Sequence, residues 1–287
     1  MLENIKNNFL AIIKYFVAYW GALSTLLGVW IAFFSWEDMG VNRKITRLLI
    51  LLGIIAIAFI TAIITVLCRN KKRIFGDINK GVTLCYDDII KLGFPKKATG
   101  RKIVVIPVNR CFDLSCENNL ISKKTIHGQW IGKFIKSAQK EQEIDLYIQN
   151  ELRKQGVSFD TIAKESKKEG NTCRYPCGTV VSIEGNNNIT FYLLALSNFD
   201  EGLRAHCSEL EFCETIQGLL HYYDRYGQGE DLYCPVMGDH IVRPTKNTND
   251  VIDLMLSIFK FNNSLIHGNI NLVVYNKMKK DISILNK

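Results

Sequence analysis

Few residue groupings in this 287-residue chain are spaced for chemistry, and those few suit holding an anion better than breaking a bond. The β-branched run Lys102–Val108 (KIVVIPV) closes on Val108-Asn109. An amide ending so apolar a run needs a hydrogen-bonding partner, so Val108 and Asn109 are expected to line a pocket at the strand's end. Further on, His127-Gly128-Gln129 opens a helix, where exposed backbone N–H groups and the helix dipole favour a phosphate. The strand-like Asp231–Met237 leads into Gly238-Asp239-His240, with Arg243 close behind. Gly238 lets backbone approach a ligand, and His240 and Arg243 are candidates to pair with an anion there. The carboxylate of Asp239 is unfavourable beside a bound anion unless it turns away or meets a cation. Gly178, in Pro176-Cys177-Gly178-Thr179, is a turn glycine and a weaker contact candidate. Asp77-Ile78 forms another short polar turn, whose aspartate either meets a ligand or satisfies its own backbone. No HExxH, GxSxG or Walker loop occurs, so no catalytic residue is assigned. Asp113 and Asp239 are the carboxylates a hydrolase would use.

The elements that must position these residues alternate. Strands are expected at Lys102–Val108, Val180–Ile183, Ile189–Leu196, Asp231–Met237 and Asn271–Tyr275, with a Gly185–Asn188 turn joining the second and third. Helices are expected at Ile126–Ala138, Ile144–Lys154, Ser208–Tyr226 and Asn249–Phe261. Ser208 and Glu211 spell a capping box. Residues 138–172 are polar and lysine-rich, an inserted helical excursion. Alternating strands and helices imply an α/β domain with helices on both faces of its sheet, spanning 74–287.

Ahead of that domain, Tyr15–Trp36 and Leu48–Cys68 are 22 and 21 residues without a charge. As helices each spans roughly 30 Å, the hydrocarbon thickness of a bilayer. The eleven-residue linker Glu37–Arg47 forces a hairpin, so residues 1–73 read as a transmembrane helical hairpin rather than a pair of buried core helices. The charge is uneven: residues 1–75 hold nine Lys and Arg against three Asp and Glu, and the rest hold 27 against 25. The net +8 is therefore mostly a membrane flank and does not indicate nucleic acid. Lys6, Lys14 and residues 69–73 outweigh Arg43, Lys44 and Arg47, which puts both termini and the second domain on the cytoplasmic side. The 69–73 cluster also suits anionic headgroups. Gly21, Ala22, Ser24, Gly28, Gly53 and Ala56 let helices approach, either between copies or within one hairpin. Nine cysteines, an odd number with no CxxC pair, read as reduced thiols without a zinc or other metal site.

Gly76-Asp77-Ile78, Val108-Asn109, His127-Gly128 and the Gly238 position, in this order, resemble the macro domain, a fold that binds ADP-ribose and related nucleotides. The resemblance implies a three-layer α/β/α domain with a mixed sheet. It gives Asp77 the adenine amino group and the two glycine loops the diphosphate. On that alignment Lys80–Arg101 is an insertion, and Gly238-Asp239-His240 replaces a usual Gly-Thr-Gly. The strings IPVNRCFD, TIHGQW, YPCGTV, FYLLALSNFD and CPVMG, behind a membrane hairpin, are similar to the membrane-anchored macro effectors of type II Thoeris antiphage systems.

That similarity implies a non-enzymatic sensor at a bacterial inner membrane. Its ligand would be an NAD-derived ADP-ribose conjugate, such as histidine-linked ADP-ribose, made by a partner TIR-domain protein. Binding would drive homo-oligomerisation, membrane disruption and cell death. Two other readings stay open: a membrane-tethered ADP-ribose hydrolase or reader of ADP-ribosylated proteins, and a scaffold whose macro fold binds nothing.

Overall fold

The computed structural model describes residues 2–38, 40–98, 100–117, 120–164, 167, 169–200, 202, 204–237 and 247–287. It divides into two compact units, residues 1–72 with 277–287 and residues 73–276.

The larger unit is built on one sheet. Its strands are β1 (Lys71–Gly76), β2 (Gly81–Asp87), β3 (Lys102–Asn109), β6 (Val180–Glu184), β7 (Ile189–Phe199), β9 (Asp231–Pro235) and β10 (Asn269–Tyr275), in the order β1-β2-β10-β9-β3-β7-β6. A two-residue β8 (Ala205–His206) pairs with the end of β7, and β4 (Asp160–Thr161) pairs with β5 (Cys173–Arg174) apart from the main sheet. From β2 to β7 every neighbour is parallel, while β6 runs antiparallel to β7. Parallel strands must be covered on both faces, which is why β3 reads as an apolar run and both β2 and β3 are buried along most of their lengths.

One face carries α4 (Ile89–Gly93), α5 (Ile126–Phe134) and α6 (Ala138–Lys154). Trp130, Ile131, Ile144, Ile148 and Leu152 meet Val104, Ile106, Leu193 and Ala195 in one apolar core. The opposite strand residues, such as Tyr192 and Leu194, are equally buried. On their side lie α7 (Glu209–Tyr226) and α8 (Thr248–Phe261), with the Tyr192 ring edge-on to Tyr222 at 5.0 Å. The result is the three-layer domain with a mixed sheet.

The region expected as an insertion, Lys80–Arg101, is instead integral. It holds β2, between β1 and β10, and α4, which begins on Asp88 as N-cap. β1 forms the edge of the sheet beside it. The domain also ends earlier than expected: β10 finishes at Tyr275, and residues 277–287 fold with the hairpin.

In the smaller unit, α1 (Leu2–Asn7) precedes α2 (Phe9–Phe33) and α3 (Lys44–Cys68), both long and apolar enough to cross a membrane. Their seam is made by Ala58, Ala62 and Val66 of α3 with Ala11 and Ile12 of α2, and by a Tyr19 Oη–Thr65 Oγ1 hydrogen bond of 3.0 Å. Gly21, Gly28 and Gly53 are not in it, since an added Cβ at each would meet nothing within 4 Å. Leu26, Phe33, Leu49, Ile57 and Ile64 face outward.

The capping box at Ser208 forms as spelled: Ser208 Oγ accepts from Glu211 N at 3.2 Å, and Glu211 Oε2 accepts from Ser208 N at 2.8 Å. Ser208→Ala is expected to cost about 1 kcal/mol, read as a lower denaturant midpoint with an unchanged slope.

Candidate functional site

Because β2, β10, β9, β3 and β7 are parallel, their carboxyl ends, Asp87, Tyr275, Pro235, Asn109 and Phe199, fall along one edge. In open α/β sheets ligands bind outside that edge. At its centre the β3/β7 register shifts between Val108 and Asn109, so Asn109 sits opposite Ser197. The shift bends the strand end away from regular pairing.

Asn109 is buried, and its side chain ties a knot. Oδ1 accepts from the backbone N–H groups of Cys111 and Asp113, both at 3.1 Å, and Nδ2 donates to Asp113 Oδ2 at 2.9 Å. Asp113 is itself buried and takes an ion pair from Lys167 Nζ at 2.6 Å, with Asn171 N donating to its other oxygen at 2.6 Å. The two charged side chains are 1% and 3% exposed. Gly170, at φ +78°, passes so close that any side chain there would strike the Asp113 carboxylate. Asp113, the sequence's candidate acid or base, is thus committed to structure. The lysine-rich excursion that supplies Lys167 gave no sign in the sequence of this role. Arg110 is spent likewise, on Tyr175 O and Glu211. A cavity of about 520 Å³ lies beside the knot, walled by Phe112, Asp145, Arg153, Phe159, Asn171 and Tyr175.

The loop from β3 leads to the N-terminus of α5. Thr125 caps it, Oγ1 accepting from Gly128 N at 3.1 Å, which leaves the N–H groups of Ile126 and His127 outside the cap. Gly128 is required by packing, since a Cβ there would overlap Ser122 O. Gln129 Nε2 donates to Lys124 O at 3.0 Å and closes the same turn. Lys123 and Lys124, both exposed, stand at this helix start. The His127 side chain is not an anion contact: it is buried, Nε2 has no partner, and burial pushes its pKa down to about 3. Only its backbone N–H can serve a phosphate.

Gly178, at φ +79°, packs against α7, where Gly218 comes so close that neither tolerates a Cβ. Its neighbour Cys177 donates to Glu214, and burial first, then that carboxylate, push the thiol up to about 12. Gly238, Asp239, His240 and Arg243 lie outside the described residues.

Asp77 and Ile78 are not at the ligand edge. They form the turn between β1 and β2, ahead of Gly81, whose partner Asn269 starts β10. They therefore lie at the end of the sheet opposite Asn109. Asp77 Oδ1 accepts from Asn79 N and Lys80 N, which holds its carboxyl below the usual range, and Ile78 is 84% exposed. The carboxyl end of β2 carries its own Asp-Ile pair, Asp88-Ile89. Asp88 Oδ1 accepts from Ile90 N and Lys91 N at 3.0 and 3.2 Å. In the sequence Asp88 shows only as an aspartate capping a short apolar run, whereas the Gly76-Asp77-Ile78 string belongs to the β1–β2 turn.

A three-layer sandwich with this strand order, gathering an Asp-Ile pair, an asparagine at a strand end and a capped helix start on one edge, is a macro-type domain. The chain belongs to the family of the Thoeris protein ThsA macro domain, whose model matches residues 82–275. Thoeris protein ThsA of Bacillus amyloliquefaciens (strain Y2) is 24% identical over 232 residues, covering 79% of this chain and 72% of that protein. An aspartate-to-alanine mutant of the Oceanobacillus iheyensis macrodomain is a solved structure with TM-score 0.44 and 10% identity, covering 74% of this chain and 93% of that one.

Lys167→Met leaves a buried carboxylate unpaired and should cost about 3–5 kcal/mol. Adding Asp113→Asn removes the charge and should recover part of that loss, so a double-mutant cycle by chemical unfolding will be strongly non-additive. His127 titrates near 6.5 when unfolded and near 3 when folded, so the unfolded state takes up its proton first as pH falls. Its contribution is complete above pH 6.5 and is lost downward through the window from 6.5 to 3. Between pH 7 and pH 5 the loss is about 2 kcal/mol, and His127→Gln should lack that slope.

Proposed function

We propose that this protein is an antiphage-defence effector whose macro domain senses an ADP-ribose-type nucleotide and whose hairpin acts on the membrane. The family match over residues 82–275 carries the reading. In it the adenine amino group meets Asp88, whose Oδ1 is engaged by the cap and whose Oδ2 would take the role expected of Asp77. The diphosphate meets the first-turn N–H groups of α5, with Lys123 and Lys124 supplying positive charge. Asn109 holds the shape of the pocket wall.

The ligand is an NAD-derived ADP-ribose conjugate, such as histidine-linked ADP-ribose, supplied by a TIR-domain protein. The hairpin lies in a bacterial inner membrane with the macro domain cytoplasmic. Outward-facing Leu26, Phe33, Leu49 and Ile57 support a lipid setting, since water would not tolerate so continuous an apolar surface. The glycines left out of the seam give a second copy room to pack, which supports assembly into a membrane-disrupting oligomer. Ligand binding can bias that assembly only by its differential affinity for the two states.

The alternative is a membrane-tethered ADP-ribose hydrolase or reader. The Asp113 lock argues against that carboxylate as its base.

Calorimetry on the full chain in detergent, with ADP-ribose, histidine-linked ADP-ribose and NAD as titrants, tests the reading. At least one of the two ADP-ribose ligands should bind without turnover, Asp88→Ala should weaken it at least tenfold, and Asp77→Ala should leave it unchanged. Turnover would move the assignment to the hydrolase. Binding of none of the three would leave the sensor reading without support.

A further inference from the structure

Residues 277–287 follow the last strand of the macro domain yet belong to the hairpin unit. Their attachment there is dense. Asn7 Nδ2 donates to Lys280 O at 2.7 Å, and Asn286 Nδ2 returns a bond to Asn7 O at 2.8 Å. Ser283 Oγ donates to Asn8 Oδ1 at 2.6 Å, and both residues are buried. Lys279 Nζ donates to Leu67 O, a carbonyl of the last turn of α3, at 2.7 Å and to Asn70 Oδ1 at 2.6 Å. Lys72 Nζ reaches Leu285 O at 2.9 Å and also Lys287 O. Ile282 and Ile284 are buried, and Leu285 packs on the cluster of Ala11, Ile12, Ala62 and Val66 where α2 meets α3. The segment thus grips the start of α2 and the end of α3 together.

At its other end the segment follows the last strand directly. β10 ends at Tyr275, and a 3-10 turn over Asn276–Lys280 follows at once. β10 is an interior strand: Tyr275 lies opposite Asp87 of β2, and Val273 lies opposite Pro235 of β9. Those are the strand ends that bound the candidate ligand edge. A flexible linker would dissipate a displacement of β10, whereas a directly continued, hydrogen-bonded segment passes it on.

We propose that residues 277–287 are a coupling strap, by which a change at the carboxyl ends of β2, β9 and β10 reaches the base of the hairpin while the strap stays docked. The proposal rests on the sensor reading for its biological sense. Its physical content, that the hairpin base and the end of β10 are energetically linked through Leu285, does not need a ligand.

The test is hydrogen exchange on the full chain in lipid nanodiscs, comparing the wild type with Leu285→Asp and the milder Leu285→Ala. Loosening the strap should speed exchange at least tenfold at residues 8–12 and 62–66 and also at 272–275, more in the aspartate variant than in the alanine one. Faster exchange confined to the hairpin, with 272–275 unchanged in both variants, would overturn the coupling. In a second arm the same proteins sit in dye-loaded vesicles and receive histidine-linked ADP-ribose. Leu285→Asp should bind it as the wild type does and release dye at least tenfold less. Dye release without ligand in Leu285→Asp would mean the strap is a lock and would also overturn the proposal. A wild type that shows linked exchange but binds no ligand would sustain the strap and refute the sensor.

Discussion

Five neighbouring strands run parallel, and this constraint shapes the rest of the domain. Parallel strands cannot be joined by tight turns, so each connection must cross a face of the sheet and cover it. That requirement buries β2 and β3 along most of their lengths and puts α4, α5 and α6 on one face with α7 and α8 on the other. It also brings all five carboxyl ends to one edge, where Asp88, Asn109 and the start of α5 are gathered from three separate elements. An antiparallel sheet from the same segments would scatter them between two edges.

The polar groups at the centre of this edge are spent on one another. Asn109 spends Oδ1 on two backbone N–H groups and a proton of Nδ2 on Asp113. Asp113 in turn is neutralised by a lysine 54 positions further along. A buried pair of this kind adds little net stability and makes its own disruption costly, which suits a loop that must keep one shape. The buried, neutral His127 and the paired glycines 178 and 218 serve the same end by packing. Much of what resembles a ligand list in the sequence is therefore scaffold, and the groups it leaves for the proposed nucleotide are the first-turn N–H groups of α5 and the exposed Lys123 and Lys124.

Periodicity made much of this legible. The runs at 102–108, 180–183 and 189–196, the helix capped at Ser208 and both hairpin helices follow from local pattern, because burial on two faces and amphipathic spacing leave direct traces. The Asp77 assignment did not follow, because a Gly-Asp-Ile string looks the same at either end of a sheet. Only the pairing of β2 with β10 shows that Asp77 opens the strand and Asp88 closes it. Lys167 was equally hidden: its partner is 54 residues away, and a lysine in a polar stretch reads as solvated. The docking of 277–287 on the hairpin is a long-range fact of the same kind, since Ser283 and Asn8 are 275 positions apart.

The proposed nucleotide site lies on the carboxyl edge, between Asp88 and the start of α5. A hydrogen-exchange footprint of the full chain with saturating ADP-ribose or its histidine conjugate tests it most directly. The account predicts slowed exchange at residues 86–91 and 122–129 with no change at 77–80. Protection at 77–80, or unchanged exchange at both 86–91 and 122–129 under saturation, would contradict it.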